Sequence, residues 1–260
     1  MNPGSLLASV NRLSLWRRRV SVWGGRLRAP TFDRCLYLYL HRFRCMGVQE
    51  CVYFSSVIHA GMHVVDIGAN IGLYSLHFSR LVGPAGKVYA FEPDGLMAAA
   101  LLENIAANGA AQVEVHRCAI GSAPGHATLQ RNAMNSGDNR LGLTTGSGLH
   151  SERVRVPVCR LDAVLGDRRV DFIKMDVQGW EGEAFRGFSD VVKANPSVRI
   201  LFEFWPRGLR RAGTDLSDLV EILRSLSLTV CSLDGRVVDL AAVAASMHDN
   251  AFTNLIAYRR

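Results

Sequence analysis

The 260-residue sequence contains no uninterrupted apolar run of about 18 residues, the length that a helix needs to cross a bilayer, so it predicts no transmembrane helix. It has no C-x-x-C motif, and no histidine lies at zinc-ligand spacing from a pair of cysteines. Several cysteines fall inside apolar runs, where a free thiol behaves as a small hydrophobe. We therefore expect a cytoplasmic protein in which all six cysteines are reduced, namely Cys35, Cys45, Cys51, Cys118, Cys159 and Cys231.

Acidic residues are absent from the first 30 positions and almost absent from residues 1–45. This basic arm holds nine arginines against one acid, Asp33, so its net charge is +8 and the remaining 215 residues sum to −1. The sequence pI of 9.4 is therefore weak evidence that the rest of the chain binds nucleic acid. Arginines interrupt every apolar run of the arm, which excludes a secretory signal. The arm is interpreted as a poorly ordered segment, a targeting peptide, or a peripheral contact of residues 1–30 with the inner membrane surface.

The segment Val64–Ser75, with the pattern D-x-G-A-N-x-G, is the strongest signal in the chain. Its apolar start is typical of a strand that is buried on both faces. Gly68 and Gly72 carry no Cβ, so the backbone can turn sharply there and approach a ligand closely. The helix predicted to follow offers its unpaired N–H groups to whatever lies in the turn. The pattern therefore predicts a nucleotide-type cofactor site.

Two cofactor classes use such a turn. A dinucleotide site has the pattern G-x-G-x-x-G, but Asn70 replaces the middle glycine that admits the pyrophosphate. Asp66 would repel a pyrophosphate, whereas it suits a ligand with an ammonium group. Glu92, in a second motif F-E-P, ends the next apolar run and is placed to accept both ribose hydroxyls of an adenosine. The two motifs together predict S-adenosylmethionine, with a nicotinamide dinucleotide as the weaker alternative.

These motifs resemble those of the FkbM family of class I methyltransferases. The resemblance covers about residues 49–258 and rests on Val65–Gly72, Phe91–Pro93, Ala119–Gly121, Val158–Asp162, Asp171–Gly179, Glu181, Gly187 and Leu201–Glu203. The chain departs from the family pattern D-x-E-G at Gln178, where a glutamate is expected, which puts any role of that acid in doubt. With the motifs, the resemblance implies cofactor contacts by Asp66, Gly68, Asn70, Gly72, Glu92, Pro93 and Ala119.

The alternation of strand and helix patterns predicts an α/β fold, a doubly wound, seven-stranded, mostly parallel, Rossmann-like sheet over residues 46–260. The third strand is predicted at Val113–Ile120, and the last two strands are predicted as an antiparallel pair. His126–Gln130 and Arg153–Val158 alternate polar with apolar residues, which predicts a small antiparallel addition on either side of a long polar loop. A loop of that length is usually functional or disordered, and part of it, residues 136–140, is a candidate substrate lid.

Asp176 and Glu203 lie at the carboxyl ends of the predicted fourth and fifth strands, where doubly wound sheets bind ligands. A sulfonium methyl group is already electrophilic, so the protein must align the acceptor and remove the proton of an attacking hydroxyl. Asp176 is the first candidate for that base, or else a helix N-cap, and Glu203 is the second. The two acids could instead hold Mg²⁺, but no spacing requires it and no metal is expected. Candidate acceptor-binding residues are Asn139, Arg140, Lys174 and Gln178.

The resemblance implies O-methylation of a hydroxyl on a sugar, glycan or secondary metabolite. A nucleic-acid methyltransferase that uses the basic arm is an alternative, but the chain lacks both the D/N-P-P-Y/F motif and a P-C dipeptide after the fourth strand. A non-catalytic cofactor-binding module is the third hypothesis, favoured by Gln178 and opposed by the intact cofactor motifs. We expect a small-molecule or glycan acceptor and no nucleic-acid partner.

Overall fold

The computed structural model describes residues 19–30, 33–43, 47–132, 134–142, 152–248 and 250–260. Within the predicted basic arm, the described residues form a hairpin followed by a helix, and a second helix lies beyond it. These elements are β1 (Val20–Val22), β2 (Gly25–Leu27), α1 (Arg34–Phe43) and α2 (Val48–Val57). Residues 1–18 lie outside the described residues, so the predicted membrane contact and the division at residue 45 stay predictions.

The hairpin packs against the body of the protein. Val22 and Leu27 are buried in its core. The backbone amides of Arg26 and Arg28 donate hydrogen bonds of 2.9 Å each to the side chains of Asn108 and Asn104. This part of the arm is thus held by apolar contact and by specific polar contact with one helix of the body.

The first half of the body alternates strand and helix as the sequence predicts. Its elements are β3 (His63–Ile67), α3 (Leu73–Val82), β4 (Lys87–Phe91), α4 (Gly95–Asn108) and β5 (Val113–His116). Asp94 caps α4 by accepting a hydrogen bond from the Leu96 amide at 2.9 Å. Gly109 ends this helix in the left-handed region at φ 61°, which suits a residue without a Cβ.

The prediction of a single third strand over Val113–Ile120 is wrong. β5 ends at His116, and residues 119–120 form a separate strand in a second, small sheet. That sheet contains β6 (Ala119–Ile120), β7 (Gly125–Arg131), β8 (Arg140–Leu141) and β9 (Glu152–Cys159), in the order β6-β9-β7-β8. The pairing of β7 with β9 confirms the predicted antiparallel addition. The loop between them is not structureless, because it holds a 3₁₀ turn (Ser136–Asp138) and β8, while residues 143–151 lie outside the described residues.

The expectation that all six cysteines are reduced is also corrected. β6 runs beside β9, with Ile120 opposite Cys159. This pairing brings Cys118 and Cys159 together, with their Cα atoms 6.2 Å apart, and the two form a disulfide. Cys51 and Cys231 are buried free thiols and Cys35 is an exposed one. The disulfide therefore joins the loop after β5 to the small sheet.

The second half of the chain completes the fold. Its elements are α5 (Leu161–Leu165), β10 (Phe172–Met175), α6 (Glu181–Gly187), α7 (Ser189–Ala194), β11 (Arg199–Phe204), α8 (Pro206–Arg211), α9 (Leu216–Ser225), β12 (Leu228–Ser232), α10 (Leu240–Ser246) and β13 (Thr253–Arg259). The central sheet has the order β12-β13-β11-β10-β3-β4-β5. Strands β11, β10, β3, β4 and β5 are parallel, and β13 is antiparallel to both of its neighbours. The predicted doubly wound seven-stranded sheet and its final antiparallel pair are confirmed.

Apolar cores cover both faces of the central sheet. On one face, the ring of Phe54 from α2 packs edge-on against Phe78 and Phe172, with centroid distances of 4.9 and 5.7 Å. Such edge-on pairs are favoured by the quadrupole of the aromatic ring. None of the helices in the described ranges is long and apolar enough to cross a membrane.

Replacing Gly72 by alanine should destabilise the fold. Gly72 has φ +91°, and a Cβ built there would lie 2.4 Å from Leu101 Cδ1. We expect a loss of about 2–4 kcal/mol in the free energy of unfolding, from left-handed strain and overpacking together. Urea unfolding measures it. The control is Gly109→Ala, which has φ +61° and no atom within 4 Å, and which should cost only the strain. Equal losses in the two variants would show that the contact with Leu101 is unimportant.

Candidate active site

The turn after β3 lies at the carboxyl edge of the central sheet. Gly68 has φ +79°, and a Cβ there would lie 2.0 Å from the carbonyl oxygen of Asp176. Both glycines of the motif are therefore required by packing within the protein, Gly68 against Asp176 and Gly72 against Leu101. Gly68 and Asn70 line the cavity at this edge, whereas Gly72, a predicted cofactor residue, is not among the residues that line it.

A buried ion pair lies directly beneath the turn. Asp66 is fully buried, and its Oδ1 lies 3.3 Å from Lys174 Nζ while its Oδ2 accepts a hydrogen bond of 2.6 Å from Ser75 Oγ. Lys174 Nζ also donates to the Gly68 carbonyl oxygen at 3.1 Å. Burial alone would lower the pKa of Lys174, but the nearby carboxylates, Asp66 first, raise it above its ordinary value. Lys174 is thus a cation held by Asp66.

This pair bears on two sequence predictions. Asp66 was expected to face the ammonium group of the cofactor, yet the ammonium group that it faces is that of Lys174, and Asp66 does not line the cavity. Lys174 was expected to bind the acceptor. It does line the cavity, but its donors are directed to the protein's own carboxylate and carbonyl oxygen. Both residues therefore act first by fixing the turn.

The cavity at this edge, which we call the cofactor pocket, is formed by the turn, the end of β4, the 3₁₀ turn and the end of β10. Its lining residues include Leu36, Gly68, Asn70, Ile71, Glu92, Pro93, Leu129, Ser136, Asn139, Leu141, Asp176 and Gln178. The structure therefore brings together the predicted residues Gly68, Asn70, Glu92, Pro93, Asn139, Lys174, Asp176 and Gln178. Ala119, also predicted, is buried in the small sheet and is not a lining residue.

Glu92 is the buried acid of this pocket. Its Oε2 accepts a hydrogen bond from the Asn70 amide and its Oε1 accepts one from the Asp94 amide, each at 2.8 Å. Burial raises the pKa of Glu92 to about 7, although these two N–H donors oppose the shift. Each carboxylate oxygen keeps a second lone pair. Glu92 is therefore fixed in orientation and can accept two further hydrogen bonds.

The 3₁₀ turn is joined to the cofactor turn by side-chain hydrogen bonds. Asn70 Nδ2 donates to Ser136 Oγ at 3.1 Å, and the Ser136 amide donates to Asp33 Oδ2 at 2.8 Å. Asn139 Nδ2 donates to Asp94 Oδ2 at 3.2 Å. The predicted lid segment thus forms a wall of the pocket. The sequence analysis did not identify Asp33 as a residue that holds this wall. The available signal was that Asp33 is the single acid of the basic arm.

Beyond the end of β10, Gln178 connects two acids. Its Nε2 donates to Asp176 Oδ1 at 2.8 Å and to Glu203 Oε2 at 3.0 Å. Asp176 and Gln178 line the pocket, whereas Glu203 is 6% exposed and is not a lining residue. Burial, followed by repulsion from Asp176 and Glu181, raises the pKa of Glu203 to about 9. The raised pKa favours the protonated form of Glu203 at neutral pH, so Asp176 is the better placed of the two predicted bases.

Arg140 lies outside the pocket. Its guanidinium group pairs with Asp138 and lies 5.0 Å from the centroid of the Trp205 ring. Together with Gln178 it lines a narrow neighbouring cleft. In the part of the chain that the structure describes, no group of three or more His, Cys, Asp or Glu side chains is arranged to hold a metal ion.

Comparisons with known proteins give the family. A family model, the methyltransferase FkbM domain, matches residues 66–227. Methyltransferase 1 of Beauveria bassiana (strain ARSEF 2860) is 29% identical over 147 residues, which cover 49% of this chain and 58% of that protein. Methyltransferase sdnD of Sordaria araneosa is 31% identical over 179 residues, 56% of this chain and 68% of that protein. A solved structure of a presumed rRNA-methylase from Clostridium thermocellum is 11% identical with a TM-score of 0.50, over 82% of this chain and 94% of that chain.

The chain therefore belongs to the FkbM methyltransferase domain family. The matched segment is little more than half the length of the first of these relatives. The fold of the solved structure agrees with the class I sheet described above. The predictions of the FkbM family and of a methyltransferase domain are confirmed. The pocket can therefore be compared with the predicted cofactor, S-adenosylmethionine.

The residues of the pocket fit that cofactor. Glu92 can accept the two hydroxyl hydrogens of a ribose, and apolar side chains such as Leu36 and Ile71 can cover an adenine ring. Lys174 is the cation of the pocket lining among the described residues, and Asp66 already balances it, so the pocket offers little to a pyrophosphate. The site thus favours an uncharged sugar and base.

The contribution of Glu203 to the stability of the protein should fall as the pH rises from about 4.5 to about 9. The unfolded chain releases this proton near pH 4.5, whereas the folded chain holds it to about pH 9, so folding is disfavoured as the pH rises through this interval. Between pH 5 and pH 9, urea unfolding of Glu203→Gln should show a smaller loss of stability than wild type, by on the order of 4–5 kcal/mol. At pH 5 the two proteins should be similar. Parallel pH dependences would contradict the protonated state of Glu203.

Cofactor affinity should rise with pH through Glu92. The ionised carboxylate accepts hydrogen bonds from hydroxyls better than the protonated form, and its pKa is raised to about 7. Calorimetric titration of wild type with S-adenosylhomocysteine should show several-fold tighter binding at pH 8 than at pH 6. Glu92→Gln should bind about tenfold more weakly or worse, because a lost charge-assisted hydrogen bond costs about 1.5–3 kcal/mol. Its affinity should not follow the pH dependence of wild type, and a variant that does so would exclude Glu92 as the titrating group.

Proposed function

We propose that this chain transfers the methyl group of S-adenosylmethionine to a hydroxyl group of a sugar, glycan or secondary metabolite. The observation that carries the proposal is the presence of two acids, Glu92 and Asp176, in the lining of one pocket. Glu92 follows β4 and Asp176 follows β10, on either side of β3, and both line the pocket. One acid can bind the ribose, and the second can act as a base. A hydroxyl acceptor requires such a base, since the hydroxyl must lose its proton on methylation.

The bound cofactor would supply an electrophilic methyl group on its sulfonium. The residues of the chain then have to orient the acceptor and take its proton. Gln178 Nε2 donates to Asp176 Oδ1, which fixes the carboxylate and leaves Oδ2 to accept the proton of the acceptor hydroxyl. Glu203, protonated at neutral pH, adds no second negative charge to repel Asp176. Gln178 stands where the family pattern has a glutamate. Its amide group donates hydrogen bonds to both Asp176 and Glu203 instead of adding a third carboxylate.

The apolar lining supports the same reaction. Leu129, Leu141 and Val177 line the pocket together with Asp176. Excluding water strengthens the interaction between a carboxylate and the hydroxyl that it deprotonates. The body of the chain is also nearly neutral, with the excess positive charge in the first 45 residues, which supports an uncharged hydroxyl-bearing substrate over nucleic acid.

Replacing Asp176 by asparagine should abolish most methyl transfer while cofactor affinity stays nearly unchanged. Removing a general base typically slows a reaction by about 10²–10⁴-fold. The measurement is the transfer of labelled methyl from S-adenosylmethionine to glycan and small-metabolite extracts, with total RNA in parallel. The control is Asp190→Asn, because Asp190 is an exposed acid paired with Lys193. Labelling of RNA alone would overturn the proposed acceptor class, and full activity of Asp176→Asn would overturn the proposed base.

A further inference from the structure

A narrow cleft lies beside the cofactor pocket and shares Leu141 and Gln178 with it. Its other lining residues include Arg140, Trp205, Gly208 and Arg211, and we call it the arginine cleft. We propose that the arginine cleft binds an anionic oxygen group of the methyl acceptor, a carboxylate or a phosphate. The inference rests on the proposed function, because it assigns the cleft to the acceptor of that reaction.

Positive charge exceeds negative charge around this cleft. Arg140 pairs with Asp138, while Arg207 has a neutral hydrogen-bond partner, Asn250. In the described ranges, no carboxylate lies within ion-pair distance of Arg211. The pKa of Arg211 is lowered by burial and then by the positive fields of Arg140 and Arg207. The fields that act on Arg211 thus come from two guanidinium groups and one carboxylate, and an added anion would stabilise this arrangement.

Two buried donors in the cleft have no hydrogen-bond partner among the described residues. They are Trp205 Nε1 and Arg140 Nε. Trp205 is only 7% exposed, so water does not readily satisfy its indole N–H. A buried donor without an acceptor costs free energy, and a bound water, ion or ligand can supply the missing acceptor. Both donors belong to side chains that line the cleft, and an oxyanion there could accept from them.

Contacts within the protein hold two of the side chains that line the cleft. The ring of Trp205 packs closely on Gly208, where an added Cβ would lie 2.1 Å from Trp205 Cε3. The guanidinium carbon of Arg140 lies 5.0 Å from the centroid of the same ring. A guanidinium group fixed in this way loses little freedom on binding a carboxylate or phosphate.

Gln178 places the cleft on the acceptor side of the active site. It lines both cavities, and its Nε2 donates to Asp176, the proposed base. Glu92, proposed to hold the ribose, lines only the cofactor pocket. An acceptor whose hydroxyl reaches Asp176 could therefore place a neighbouring anionic group against Arg140 and Arg211.

The test is anion binding by the full chain. Inorganic phosphate and, separately, acetate are titrated at constant ionic strength while tryptophan fluorescence is recorded, since Trp205 lies at the site. We expect saturable binding of at least one anion by wild type, and at least tenfold weaker binding by Arg211→Gln. The control is Arg210→Gln, which removes an exposed arginine of the same helix. The two variants therefore lose the same net charge. Its affinity should match that of wild type, and thermal unfolding should confirm that both variants fold.

The outcomes separate the hypotheses. Binding of phosphate alone, of acetate alone or of both supports the inference and identifies the anionic group. Absence of saturable binding overturns it, as does an equal loss in Arg210→Gln, which would show a general effect of charge. Calorimetric titration of Arg211→Gln with S-adenosylhomocysteine should give wild-type affinity, and a tenfold loss would assign the cleft to the cofactor instead. Failure of wild type to bind S-adenosylhomocysteine would overturn the proposed function but not the anion site.

Discussion

The buried ion pair between Lys174 and Asp66 is the interaction on which the site depends. The two residues are direct neighbours in the parallel pairing of β10 with β3. Lys174 then reaches past Asp66 to the carbonyl oxygen of Gly68, so one ammonium group joins two strands to the cofactor turn. A buried charge without its partner costs about 3–5 kcal/mol, which makes either residue alone unacceptable. With the turn fixed, the Asn70 amide is positioned to hold Glu92.

The sequence was sufficient to predict the sheet, the cofactor and eight of the residues that line the pocket. Hydrophobic runs that end in Asp66, Glu92, Asp176 and Glu203 specify strands, and parallel strands bring their carboxyl ends to one edge. The sequence does not specify which acid faces the ligand, because that depends on a partner elsewhere in the chain. Asp66 forms an ion pair with Lys174, which lies 108 residues further along the chain. Glu203 accepts a hydrogen bond from Gln178 and does not line the pocket.

The position of Ala119 and the disulfide also depend on contacts between residues that are distant in the sequence. Ala119 matches a family motif, but the chain leaves the central sheet after His116 and pairs with β9 instead. Cys118 and Cys159 are 41 residues apart and show no spacing that marks a disulfide. Only the formation of the small sheet places them side by side. Local pattern therefore predicted the elements, while tertiary pairing decided the roles of individual side chains.

Asp33 joins the N-terminal segment to the wall of the cofactor pocket. One oxygen of this buried carboxylate accepts from the Leu36 amide at the start of α1, at 2.9 Å, and the other accepts from the Ser136 amide. The Cys35 amide also donates to the carbonyl oxygen of Met134 at 3.1 Å. Docking of α1 and closure of the pocket wall are therefore thermodynamically linked, and occupancy of the pocket and attachment of this segment stabilise each other. A shortened protein that begins after α1 would keep the catalytic edge but lose the residue that anchors its wall.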